Sequence, residues 1–423
     1  MRGTVVSVSS LLAGIALLML GNGLLGTLLS LRLAAADVST MITGLVLAAY
    51  FAGLALGSSA GNPVIVSVGH IRAFAALAST YSAAALVHAF SLDPWLWGAL
   101  RFVEGYCIAV VFMCTESWLN ERASNETRGR IMSLYMIVLY IAMGAGQFLL
   151  TAADTQGFAL FAIVSAVASL ALVPVALTRV PAPAESAPSR LGLPALFRLS
   201  PLGVFGSFAS GMILGAFYAL GPAYARYEGL DVGETGQFMA AAIFGGLLLQ
   251  WPIGAFSDRF DRRKVFLALL VAIALASAGV MLLVPYSFAG LAMSVFVFGA
   301  LTFVLYPLSV AHTNDYAGSE NFVTVAGGLI LAYSFGSVIG PIAAAAMMEG
   351  IGPSGLFAFS ALTALVAIGF TLWRMRTRPE APDTHTPFVA VPRTTPRSTE
   401  LDPRGPSDAE AEPIVEPAEE RRP

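Results

Sequence analysis

The sequence predicts an all-α membrane protein, with twelve transmembrane helices in two pseudo-symmetric six-helix bundles, and three observations lead there. Of 423 residues, 57% are hydrophobic and only 12% charged, where a soluble domain carries roughly 25% charged residues. The charges gather in short clusters between apolar runs. About twelve of these runs reach the roughly 18–25 residues that cross a hydrocarbon core as helix. The chain also matches itself weakly at an offset of about 194 residues, as a duplicated membrane protein does.

The spans fall near 5–31, 39–60, 73–91, 95–116, 130–152, 157–178, 201–224, 235–256, 264–285, 288–311, 324–347 and 355–373. Segments such as Val265 to Val284 are apolar on every face, which argues against the alternating strands of a membrane barrel. Arg2 and Ala34-Ala35-Ala36 imitate a cleaved signal, but the first apolar run is longer than the roughly 7–15 residues of a signal core, so a retained helix is expected. Basic residues mark the cytoplasmic loops. Arg72, the cluster Arg122, Arg128 and Arg130, the linker's Arg179, Arg190 and Arg198, the cluster Arg259, Arg262, Arg263 and Lys264, and Arg374, Arg376 and Arg378 all fall in alternate loops or after the last span. The other loops offer Arg32 and Arg226. Both termini are therefore expected in the cytoplasm, with the protein in an inner (plasma) membrane.

The expected plan is a first half over 1–178, a cytoplasmic linker over 179–200, a second half over 201–376 and a tail over 377–423. The linker is rich in Pro, Ala and Ser. From Glu380 onward the chain is rich in Pro, Glu, Asp, Thr and Arg without apolar periodicity, so a disordered cytoplasmic tail is expected. The net charge of -3 is unfavourable to a nucleic-acid partner. Cys107 and Cys114 lie about 10 Å apart along one helix, too far to be bridged. His70, His88, His312 and His385 have no zinc-like spacing, and no metal or cofactor is expected. Gly21-Asn22-Gly23-Leu24-Leu25-Gly26 matches a dinucleotide-binding pattern but sits inside a span, where no strand precedes it. With no catalytic constellation compatible with the topology, an enzyme is not expected.

The self-match aligns Gly105 with Gly299, Asn120 with Asn314, Glu121 with Asp315, Ala123 with Ala317, Glu126 with Glu320 and Gly146 with Gly340. Its polar pairs sit in matching loops. Gly53-x-x-x-Gly57 and Gly336-x-x-x-Gly340 are expected to let helices approach closely.

Between the eighth and ninth spans the chain reads Gly254-Ala-Phe-Ser-Asp258-Arg259-Phe-Asp-Arg262-Arg263-Lys264. A positive-inside anchor explains the arginines but not this order. The loop resembles the signature loop of the major facilitator superfamily, in which the acidic residue pairs with cations across the halves. The corresponding first-half segment, Gly57-Ser-Ser-Ala-Gly61-Asn62-Pro63 to Arg72, has no carboxylate, which leaves the Asp258 side as the candidate gate. A second gating region is expected around Glu116, Arg128 and Arg130. The strings Arg101-Phe-Val-Glu104-Gly105, Glu116-Ser-Trp-Leu-Asn-Glu-Arg122 and Thr127-Arg-Gly-Arg130 resemble the YcaD-like branch of that superfamily. The resemblance covers roughly residues 5–375. It implies a twelve-helix fold and transport of a small solute, with no secure substrate. The Gly-Pro pair of drug antiporters is absent from the fifth span, where Gln147 follows Gly146; Gly340-Pro341 stands in the eleventh instead.

Arg101 and Glu104 lie about 8 and 12 Å inside the outer boundary. Each costs roughly 2.5–3.5 kcal/mol in lipid, so both should face the bundle interior and, at i, i+3, pair with each other. A self-neutralising pair that fixes helix orientation is the plainer reading. The functional one makes Glu104 the proton carrier, because it is the carboxylate expected nearest mid-membrane. Asn22, Tyr140, Gln147, Tyr218, Gln250, Tyr306 and Tyr333 offer polar tips to a solute path, or to interhelical hydrogen bonds. The expected activity is secondary transport of a small solute by a monomer in the bilayer, with protons as the coupling ion. A passive facilitator and a transporter-like sensor remain the alternatives.

Overall fold

A computed structural model describes residues 2–124, 126–177, 192–283, 287–317, 322–377 and 387–402, and these contain helices and turns but no strand. Among them, eleven helices are long and apolar enough to cross a membrane, and a twelfth span comes from a bent pair. The first half comprises α1 (Arg2–Ala35), α2 (Thr40–Ala60), α3 (Asn62–Val68), α4 (His70–Val87), α5 (Pro94–Arg122), α6 (Arg128–Phe148), α7 (Ala159–Leu170) and α8 (Leu172–Ala176). The second comprises α10 (Pro201–Tyr227), α11 (Val232–Ser257), α12 (Arg262–Leu283), α13 (Phe288–Asn314), α14 (Phe322–Ile351) and α15 (Gly355–Thr377). Helices α3 and α4 meet at 119°. Gly69 between them has φ 83°, a left-handed conformation that a side chain would resist. Of the expected linker, residues 179–191 lie outside the described residues, and α9 (Leu193–Leu199) lies near its end.

Helix starts follow local capping chemistry. Asp93 accepts from Trp95 ahead of Pro94 in α5, and Ser200 accepts from Gly203 ahead of Pro201 in α10. Asp231 and Glu234 form a reciprocal capping box at the start of α11. Each device satisfies orphan N–H groups where a span begins.

Both halves use the same pairing. Helix α1 packs on α6 as α10 packs on α14, α2 on α5 as α11 on α13, and α4 on α7 as α12 on α15. The aligned glycines explain how. A Cβ on Gly105 would run into the Tyr50 carbonyl of α2, and one on Gly299 into the Ala242 carbonyl of α11. Likewise Gly146 faces the Leu20 carbonyl of α1, and Gly340 the Met212 carbonyl of α10. In lipid, where apolar burial does not drive association, such backbone proximity supplies the packing.

Between the halves, α2 meets α14, α6 meets α11 and α1 meets α10. Contacts concentrate at the end away from the Asp258 loop. The Ser30 hydroxyl donates to the Ala219 carbonyl at 2.8 Å, the Met41 N–H donates to Glu349 at 2.9 Å, and Gly44 abuts the Pro341 carbonyl. Near that end Arg32 is held by the carbonyls of Thr155, Gln156 and Gly157 and by the Phe161 ring, 4.9 Å away.

At the Asp258 end, residues 387–402 lie between the halves. The Phe388 N–H donates to both Asp258 oxygens at 2.9 Å, while Thr394 and Thr395 donate to Glu116 of α5 and Arg397 donates to Asn62 at 3.0 Å. A 3-10 turn over Pro396–Leu401 ends the segment. This stretch falls inside the tail expected to be disordered. It needs no core of its own, because its polar groups and its few apolar ones, such as Val391, are buried by helices already in place. The rest of the expected tail lies outside the described residues.

Replacing Gly105 or Gly299 by Ala is expected to lower stability by about 1–3 kcal/mol through overpacking. Gly369→Ala, with no atom within 4 Å of the new Cβ, should be near neutral. Thermal unfolding of the purified variants measures the difference, and equal melting temperatures for all three would refute the close-approach explanation.

Candidate functional site

Helix α5 begins at a fixed point, since the Trp97 indole donates to Ser91 at 2.6 Å next to the Asp93 cap. One turn later this register brings Arg101 to the cavity wall and sinks Glu104 behind it, at 4% and 0% exposure. Arg101 donates to Glu104 at 2.8 Å and lies 4.2 Å from the centre of the Tyr50 ring. The other Glu104 oxygen faces His88 Nδ1 at 3.4 Å, and His88 is wedged against Trp97 and Phe161. The sequence reading foresaw the Arg101–Glu104 contact and missed His88 and Tyr50. Only the fold brings these together, from the end of α4 and the middle of α2.

Between the halves is a cavity of about 170 Å³ lined by Asn22, Tyr50, Arg101, Tyr140, Gln147, Tyr218 and Tyr333, with Pro392, Arg393 and Thr394 of the tail in its wall. Five of the seven polar candidates therefore line it. Gln147 also ties helices together, accepting from Thr27 at 2.7 Å and donating to the Gly23 carbonyl at 3.0 Å. Gln250 is not in the wall; it donates to the Tyr140 hydroxyl at 3.1 Å. Tyr306 stands behind Tyr333, ring to ring at 5.5 Å, outside the lining. Tyr140, Tyr218 and Phe303 form an aromatic wall, with ring centres 5.4 Å and 6.1 Å from Phe303.

The Asp258 loop is organised around Arg262, which is 1% exposed. Its two terminal nitrogens donate to Asp258 at 2.6 Å and to Asp315 at 3.1 Å. Arg263 grips Asp261 with two bonds of 3.0 and 3.1 Å, while Arg259 and Lys264 are exposed. Gly254 gives its space to the Phe388 ring. The resemblance implied that the acidic residue would pair with cations across the halves. Instead the ionic contacts of Asp258 stay within the second half, and its link toward the first runs through the tail backbone. Asp315 was missed as a site residue, although the repeat had paired it with Glu121.

In the second gating region Glu116 is fully buried. It accepts from Tyr135 at 2.9 Å and from the two tail threonines. Arg128 is buried and Arg130 exposed.

The sequence model of the Major Facilitator Superfamily matches residues 11–327 and 204–401. The chain belongs to the major facilitator superfamily. It is 30% identical over 349 residues to the uncharacterized MFS-type transporter YcaD of Escherichia coli O139:H28, covering 82% of this chain and 90% of the relative, and equally to that of Shigella sonnei. The nucleoside transporter NupG superposes with a TM-score of 0.71 at 14% identity, over 89% of this chain and 99% of NupG. A bacterial homologue of the human lysosomal transporter Spinster, inward-facing and unoccupied, gives 0.69 at 15% identity, over 89% and 97%. These likenesses show the fold. With the family, they make the chain a multi-pass membrane transporter of a small molecule.

Arg262→Ala removes the cation shared by two carboxylates and is expected to cost about 3–5 kcal/mol, as breaking a buried pair does. Adding Asp315→Asn should recover part of that. Melting temperatures of the single and double variants decide it, and a double variant no better than the single would remove the shared-cation account.

Proposed function

We propose that the chain is a secondary active transporter that moves a small solute across the inner membrane by alternating access, coupled to protons through Glu104, as a monomer with both termini in the cytoplasm. The observation that carries this reading is the Arg101–Glu104–His88 cluster, in which Arg101 faces the cavity and Glu104 is fully buried behind it. A solute whose arrival displaces Arg101 from Glu104 leaves a carboxylate in a low-dielectric site, where taking up a proton removes the cost of the bare charge. Proton uptake at Glu104 and solute binding in the cavity that Arg101 lines are then linked events.

The orientation rests on the basic loops, which place the Asp258 end in the cytoplasm. In that frame the contacts of Ser30, Met41 and Gly44 close the outer end, and the cavity belongs to an inward-facing form. Rocking of the two glycine-packed halves about the cavity exchanges the closed end.

The test is solute-dependent proton flux in proteoliposomes loaded with a pH dye and screened against a metabolite panel. The wild-type chain is expected to acidify or alkalinise the lumen with its solute. Glu104→Gln should abolish this flux, by at least about 100-fold as for a lost proton-transfer group, while solute binding persists. Undiminished proton-driven uptake by Glu104→Gln defeats the coupling, and uptake indifferent to the gradient makes the protein a facilitator. The contact between tail and cavity favours one second reading, a ligand sensor that signals through the tail. Removal of the residues after Arg378 abolishes such signalling and spares transport.

A further inference from the structure

Arg393 is a cation in an unusual setting. Its guanidinium lies 4.5 Å from the centre of the Phe303 ring and 5.8 Å from that of Tyr333, and it donates to the Tyr140 hydroxyl at 3.0 Å. That hydroxyl is held in place as an acceptor by Gln250 on its other side. Nη1 of Arg393 makes no hydrogen bond, and the hydroxyls of Tyr140, Tyr218 and Tyr333 are near it; among the described residues no salt bridge is formed to it. Aromatic faces plus a hydroxyl acceptor form a receptor for a planar, weakly hydrated cation. Arg101, the other guanidinium lining the same cavity, is paired with Glu104 and rests on the Tyr50 ring instead.

Resting on the transporter reading above, we propose that the ring of Tyr140, Tyr218, Phe303 and Tyr333 is a binding site for small guanidinium-bearing cations, and that Arg393 of the chain's own tail is a tethered ligand competing for it. The tail has anchors that do not touch the ring: Phe388 on Asp258 and Gly254, Thr394 and Thr395 on Glu116, and Arg397 on Asn62. Those anchors hold Arg393 at the ring with an effective concentration of order millimolar, which a free cation has to exceed. The site is thus occupied when solute is scarce and yields as a matching cation accumulates. Substrate recognition and self-occlusion use the same atoms.

Butylguanidinium is the probe, with the uncharged isostere butylurea as its control, and calorimetry on the purified full-length chain is the readout. Arg393→Ala frees the ring and is expected to bind butylguanidinium about tenfold more tightly than wild type, with no such gain for butylurea. Phe388→Ala loosens the tail at a point outside the ring and should shift affinity in the same direction. Adding Phe303→Leu to Arg393→Ala should remove the gain. Equal affinity of wild type and Arg393→Ala for butylguanidinium overturns the proposal, and so does an equal gain for butylurea. The transporter reading fails on a different measurement, the absence of solute-linked proton flux and gradient-dependent uptake.

Discussion

A charge inside a bilayer has to find its partners within the protein, and most of this structure is arranged around that constraint. Three of the buried guanidiniums, in the bilayer or at its edge, find partners in three ways. Arg32 uses loop carbonyls and a ring, Arg101 a carboxylate and a ring, and Arg262 two carboxylates from different helices. Each choice fixes how a helix is rotated about its axis. Arg101 in particular turns α5 so that one side carries the charged pair and the other lets Gly105 lie against α2. The rotation that buries the charge is also the one that brings the backbones together.

The two kinds of contact divide the molecule mechanically. Within each half, glycines bring backbones together along matched helix pairs, an interface that cannot slide without collision. Between halves, α2 packs on α14, α6 on α11 and α1 on α10, with hydrogen bonds of Ser30 and Met41 at one end and an inserted segment at the other. Within the halves the glycine contacts recur in matched pairs, whereas the contacts between halves differ from one end to the other.

The fold was legible because hydrocarbon thickness sets helix length and the lipid phase leaves few alternatives, so run length alone gave the spans. The repeat was legible for a similar reason. Gly105 and Gly299, or Gly146 and Gly340, are tied to one backbone approach each, and the same geometry in both halves required the same residue. The Arg101–Glu104 contact was visible because it is local to one helix. His88 and Tyr50 were not, since their place beside that pair depends on how α4 and α2 pack on α5. Residues 387–402 escaped for a deeper reason. Without apolar periodicity, the tail cannot bury a core of its own. What it buries is the unfilled polar surface of another part of the chain, and Thr394 or Arg393 carries no periodic signal of such a role.

The inserted segment has a consequence for timing. Phe388 on α11 and Arg397 beside α3 occupy the gap that, under the alternating access proposed above, the two halves would close for the opposite end to open. Closure with the segment in place would drive backbone into backbone, so on that proposal its withdrawal comes first in every turnover. That adds to the cycle a dissociation event whose lifetime belongs to the polypeptide and not to the cargo, and it caps the speed at which even a saturating solute can be carried.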